Sequence, residues 1–170
     1  MLKKNRPRPD QLDASRERDA KVSKLIKKPV ARWPEFEPEW DCDAASYRRA
    51  EDGAMSAADF AAKYSGGVTC CDVLIADLDA VLTTGSRRSK DEAWGFNDRK
   101  VAGVILFWSE GGTMTPPLIS VGRWSGKDEI HIVGGNNRLA VLRSKGVVET
   151  KILVQTPQLD VAKALMPSLR

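Results

Sequence analysis

Apolar positions along this chain gather into short runs whose spacing switches between that of helix and that of strand, with Gly, Pro and charged residues between them. From Asp13 to Lys28, Val22, Leu25 and Ile26 share one side of an otherwise charged helix that Pro29 would stop. From Glu35 to Asp43 the carboxylates take every second position, and Phe36, Trp40 and Cys42 fill positions between them. This alternation predicts extended chain with an acidic side and an apolar side, and Pro38 makes it an edge or an irregular segment. Ser56-Ala57-Ala58-Asp59 has the form of a capping box before a helix over Phe60 to Tyr64, which Gly66-Gly67 ends.

The second half is more regular. Asp72 to Leu82, with Val73, Leu74, Ile75, Leu78, Val81 and Leu82, predicts a strand running into a turn. Asp98 to Gly111 places Val101, Ile105 and Trp108 at i, i+4 and i+7, an amphipathic helix ended by Gly111-Gly112. Pro117 to Trp124 and Glu129 to Val133 predict two strands joined by a turn at Ser125 to Asp128. A helix over Asn137 to Lys145 stops at Gly146, Glu149 to Gln155 predicts a third strand of this group, and Thr156-Pro157 opens a last short helix through Leu165.

Composition narrows the classes. At 170 residues and 42% hydrophobic, the chain is long enough to bury a core without disulfides or a structural metal. Its longest apolar run, Val101 to Trp108, is far short of the ~20 residues that cross a bilayer, and its charged start lacks a signal-peptide core. Cys42, Cys70 and Cys71 form no CxxC, which points to an intracellular, cytoplasmic setting. His131 is the one histidine, so a zinc site would rest on thiolates and carboxylates, and a Ser-His or Cys-His nucleophile pair has a single candidate imidazole.

The net charge of +4 is unevenly spread. Met1 to Arg32 holds eleven Lys or Arg against four Asp or Glu, whereas the remaining chain holds sixteen against nineteen. Basicity therefore belongs to an N-terminal arm, residues 1–32, where Lys3, Lys4, Arg6, Arg8, Lys24, Lys27 and Lys28 are candidate phosphate contacts for DNA. A solvated tail, or a helix docked on the body, fits the same pattern. Residues 33–71 form an acidic and aromatic extension with a short helix, and its stretch Glu35 to Asp43 would bind a divalent cation, fold over the arm, or lie as a ribbon pinned by its aromatics.

The stretch with the most chemistry is Ile132-Val133-Gly134-Gly135-Asn136-Asn137-Arg138-Leu139-Ala140. A strand ends at two glycines and a helix begins at two residues suited to capping, so unpaired N–H groups and the positive end of a helix dipole meet a close-approaching ligand. Arg138 in the first turn adds a planar fork of donors. These features describe an anion site, most simply for phosphate; plain chain reversal uses the same residues. Gly122 to Asp128 lacks the spacing and the hydroxyl of a P-loop, and GxGxxG is absent.

Leu78-Asp79, Arg87-Arg88, Glu110-Gly111-Gly112, Met114-Thr115-Pro116-Pro117-Leu118-Ile119, then Val133 to Leu142, Gly146 and a closing strand follow in an order that resembles the ParB/sulfiredoxin superfamily, over about residues 72–155. Within it the chain looks most like plasmid fertility-inhibition members. The resemblance implies an α/β (α+β) fold, a small mixed sheet packed with helices, with residues 156–170 as a C-terminal helix. It also implies a cleft for ATP with Mg2+ as the accompanying ion, ATPase and DNase activity, and interference with conjugative DNA transfer, whose machinery would be a partner. Gly134, Gly135, Asn136, Asn137 and Arg138 would hold the phosphates, with Thr115, Arg87 and Arg88 on the walls. Asn136 stands where sulfiredoxins carry their cysteine, and an amide supplies no thiolate, so sulfinic-acid reduction is not expected. Gln155-Thr156-Pro157-Gln158 replaces the Glu-Asn pair with which ParB members hold a metal, leaving Asp98 and Asp160 as weak substitutes.

In the hydrolase reading Arg138 and Asn137 would stabilise the transferred phosphoryl group and Asp98 would orient water. The competing reading is a non-catalytic inhibitor that binds DNA or a protein; an amino-acid kinase of the same superfamily is a third. Arg99 and Lys100 at a helix start oppose its dipole, an arrangement an anion partner would relieve. His131 reads as a surface residue of the hairpin, Trp94, Trp108 and Trp124 as core or cleft wall, and Trp33 and Trp40, beside the arm, as candidates for base stacking.

Overall fold

The computed structural model of the chain describes residues 9–51, 55–87, 92–95, 97–124 and 126–170. In chain order the elements are α1 (Pro9–Leu25), β1 (Glu39–Trp40), α2 (Ala57–Lys63), β2 (Val68–Leu74), α3 (Ile75–Val81), α4 (Asp98–Ser109), β3 (Thr113–Met114), β4 (Leu118–Trp124), β5 (Lys127–Gly134), α5 (Asn136–Lys145), β6 (Glu149–Gln155) and α6 (Leu159–Leu165). Short 3-10 turns, among them Ala44–Arg49 and Thr156–Gln158, fill connections. The architecture is the expected mixed α+β one, and no helix among the described residues is long and apolar enough to cross a membrane.

Four strands pair in the order β2-β6-β4-β5. The β4–β5 hairpin and the β2–β6 pair are antiparallel, and β4 runs parallel to β6 through only Leu118↔Leu153 and Ile119↔Val154. Where that short ladder stops, the Gln158 side chain replaces it: Val121 N–H donates to Gln158 Oε1 at 2.8 Å and Gln158 Nε2 donates to the Val121 carbonyl at 3.0 Å. One sheet edge is covered by the chain end, since Asp72 and Arg170 exchange backbone hydrogen bonds of 2.8 and 3.1 Å. Segment 82–86 covers part of the other, with Thr83 N–H on the Ile130 carbonyl and Ile132 N–H on Ser86 Oγ.

The larger core fills the face of the sheet carrying Cys71, Val73, Ile119, Ile130, Ile132, Ile152 and Val154, under α1, α3, α4, α5 and α6. A smaller cluster of Tyr47, Ala50, Tyr64, Leu118 and Leu153 packs against the opposite face. The first cluster draws from Val22 near the start to Leu169 near the end, so arm, extension and C-terminal helix share one interior with the central segment.

Several elements depart from expectation. Asp72 to Leu82 is not a strand running into a turn: β2 starts at Val68 and ends at Leu74, and α3 follows at once. Ile75, Leu78 and Leu82 have helical spacing and are buried, whereas the polar Thr69 and Asp72 of β2 hide its alternation. α1 begins four residues earlier than Asp13 and stops at Leu25. It docks on α4 through the buried Val22 and Leu25, each contributing about 1.5–3 kcal/mol, with Asp19–Arg99 at 2.6 Å and Lys21–Glu110 at 3.6 Å at the rim. The segment around β1 is pinned by its aromatics: Phe36, before the strand, stacks on Trp108, Trp40 meets the same indole edge-on, and β1 pairs in parallel with β3.

Candidate functional site

A cavity of about 420 Å³ opens where α4, β3 and the start of α5 meet, with α1 and the 3-10 turn 44–49 at its rim. Gly103, Val104, Phe107 and Met114 give it an apolar side; Thr113, Thr115, Gly135, Asn137 and Arg138 give it a polar one. Among the described residues, Arg18, Arg49, Lys100 and Arg138 bring four cations to its lining, against the single carboxylate of Asp41. Arg18 also lies over the Phe107 ring, 5.7 Å from its centroid.

The glycine pair shapes this wall. Gly135 has φ +102°, a left-handed conformation, and a Cβ there would fall 2.8 Å from Pro117 Cα. At Gly134 a Cβ would stand 2.2 Å from the Ala50 carbonyl oxygen. Both positions exclude a side chain, and the chain turns tightly from β5 into α5 with Gly135 as the N-terminal cap. Asn137 and Arg138 then follow in the first turn and line the cavity. Asn136 stands outside the lining, and its Oδ1 is buried without a donor among the described residues.

Arg138 does not present its whole fork to the cavity. Nη2 donates to the Ala50 carbonyl at 3.0 Å, and Nη1 donates to the carbonyl of Thr115. The guanidinium thus ties the start of α5 to the β3–β4 connection and to the turn after Arg49. Thr115 is buried, its Oγ1 donating to the Ser46 carbonyl at 3.2 Å, so its side chain holds the wall together as well as lining it.

Asp41 receives a hydrogen bond from Asp43 N–H at 3.2 Å. Hydrogen bonds from the Ser46 side chain and the Asp43 backbone hold its carboxyl below the ordinary range, so it is a carboxylate at neutral pH. Such a group suits a fixed charge or a cation contact better than a general base.

Other expected site residues lie elsewhere. Asp98 opens α4 with its carboxylate 3.9 Å from Lys27 and does not line the cavity, so its proposed role with water lacks the required placement. Arg87 donates from Nε to the Leu82 carbonyl at 2.8 Å, in the segment along β5, away from the cavity lining. Arg88, Lys3, Lys4, Arg6 and Arg8 lie outside the described residues. Lys24 is exposed near the end of α1, Lys27 is exposed beside Asp98, and the Lys28 carbonyl accepts both indole N–H groups, from Trp33 at 2.9 Å and Trp94 at 3.0 Å. Those bonds, and the edge-on Trp33–Trp94 pair at 5.8 Å, bury Trp33 in the core, so it offers no face to a base; Trp40 is likewise engaged by Trp108. Gln158 is occupied by Val121, and Asp160 is exposed on α6. No group of three or more Asp, Glu, Cys or His with metal-binding placement occurs among the described residues.

Arg18, Asp41 and Arg49 carry no mark in the sequence that places them at this cavity. Lys100 left a signal, a cation placed against a helix dipole, whereas Arg18 and Arg49 are single charges within longer charged stretches whose convergence depends on tertiary packing. No family model, curated protein or solved structure matches the chain.

Proposed function

We propose that the cavity binds a nucleoside triphosphate, ATP in the first instance. The observation that carries this reading is the convergence of Arg18, Arg49, Lys100 and Arg138 with the N-terminus of α5 on one cavity that also has an apolar side. The cations and the dipole end suit phosphates, and Val104, Phe107 and Met114 suit a base. Asp41 supplies one carboxylate, enough for a Mg2+ that arrives on the triphosphate and keeps phosphate oxygens and waters as its other ligands. ATP hydrolysis, DNA cleavage and interference with conjugative DNA transfer are the activities that the ParB/sulfiredoxin resemblance adds to this binding reading.

A second reading has its own support. Arg138 is engaged by two carbonyls and Asp98 by Lys27, which favours a domain that binds nucleotide without turning it over and acts as an inhibitor through a DNA or protein partner. Titration of ATP, CTP and ADP with and without Mg2+, followed for binding and for phosphate release, separates the two. Saturable binding with release supports the hydrolase; binding without release supports the inhibitor; absence of binding by all three refutes both.

A further inference from the structure

Away from the cations of the cavity, two thiols 28 positions apart in sequence face each other. Cys42 Sγ lies 3.1 Å from Cys70 Sγ. An approach of about 1 Å would bring the pair to the ~2.05 Å of a disulfide. Cys42 is exposed in the segment that leaves β1, and Cys70 is half-buried in β2 on the face opposite Cys71. The backbone of Cys42 is held in place, its carbonyl accepting from Tyr47 Oη at 3.0 Å. Lys151, paired with Asp72 at 2.8 Å, brings a cation to the pair.

We infer that Cys42 and Cys70 are a modification site, a thiol pair that hydrogen peroxide converts to a disulfide joining the β1 segment to β2. The exposed Cys42 reacts first. Its thiol gives up a proton, the thiolate sulfur attacks one peroxide oxygen, the O–O bond breaks, and sulfenic acid forms as the leaving hydroxide takes up that proton to become water. Cys70 sulfur then attacks the Cys42 sulfur and expels its oxygen; with the Cys70 proton, the departing oxygen leaves as water. Two thiols are oxidised by two electrons and one peroxide becomes two waters. Burial pushes the Cys70 thiol up to about 12, which fits a resolving group that stays protonated until the sulfenic acid is beside it. Cys71, buried in the larger core, takes no part. Because Asp41 precedes Cys42 and lines the cavity, the bond fixes one cavity wall to the sheet.

The test uses the full chain, one equivalent of hydrogen peroxide, alkylation of remaining thiols and tryptic mapping, and needs no cavity ligand. The expected result is loss of two of the three thiols and a disulfide between peptides 33–48 and 64–87 within one molecule. Cys71→Ala keeps that link and Cys70→Ser loses it. Three surviving thiols, sulfinic acid on Cys42 without a link, a link between two molecules, or a link retained in Cys70→Ser would each overturn the inference.

Discussion

Arg138 donates from the first turn of α5 to the carbonyl of Thr115, and its second terminal nitrogen donates to Ala50, so one guanidinium holds three segments of the cavity wall. Arg138→Ala leaves both carbonyls without this donor, and Ala50 is fully buried. The expected cost is about 2–4 kcal/mol, read as a lower urea midpoint. Arg138→Lys restores only part of it, because a point charge does not replace the fork. Loss of ATP binding in either variant is therefore interpretable only beside its stability.

Two glycines of the cavity region respond in opposite directions. Gly103 lies within α4, where a methyl group would meet nothing within 4 Å, and it lines the cavity. Gly103→Ala raises the melting temperature through about 0.8–1 kcal/mol of helix propensity, while the added methyl weakens ATP binding. Gly134→Ala drives a methyl against the Ala50 carbonyl and lowers stability by at least about 2 kcal/mol. Thermal melts with and without ATP measure both effects.

Arg143 is buried, its side chain 3% exposed, and it forks onto Asp79 with Nε at 2.9 and 3.0 Å from the two carboxylate oxygens. Asp79→Ala strands that charge in the interior and costs about 3–5 kcal/mol in chemical denaturation. The double variant Asp79→Ala, Arg143→Met recovers much of the loss, because the stranded charge is gone.

Glu51 sets an acid limb. Burial raises its carboxyl, but hydrogen bonds from Lys63, at 2.8 and 2.9 Å, and from Tyr64 outweigh that and hold it below the ordinary value. A carboxyl lowered in the folded state stabilises the protein above its unfolded value, and the contribution is lost as pH falls through the folded value. The wild-type urea midpoint should thus fall below about pH 5 more steeply than that of Glu51→Gln.

The sequence made the second half of the fold legible because its signals are local. Glu149–Gln155 forms the expected strand, and Gly111 and Gly146 end their helices with φ of +75° and +73°. β1 falls inside the extended edge expected over Glu35 to Asp43, whereas the two-residue β3 leaves no periodic trace and shows only through its pairing, Glu39↔Thr113 and Trp40↔Met114. At the site, the glycine pair and Arg138 stood out from a strand–turn–helix pattern, and Thr115, Gly135, Asn137 and Arg138 do meet at one cavity. Arg18 and Asp41 reach it only because α1 docks on α4 and β1 pairs with β3, and Arg49 comes with the turn that Arg138 ties down. The place of Asp98 at a helix start suggests a water-orienting role, but the docking of α1 brings Lys27 beside it. Charge arithmetic separated a basic arm from an acidic body; packing then returned one arm residue, Arg18, to the cavity.

The proposed triphosphate site rests on the cations that converge on the cavity, of which Arg49 and Lys100 are both exposed side chains in its lining. The decisive measurement is calorimetric titration of ATP into wild type, Arg49→Ala and Lys100→Ala, with melting temperatures recorded in parallel. Saturable wild-type binding is expected to weaken about tenfold in each variant, some 1.4 kcal/mol per lost phosphate contact, with unchanged melting temperature. Wild-type affinity in both variants, at unchanged melting temperature, would contradict it.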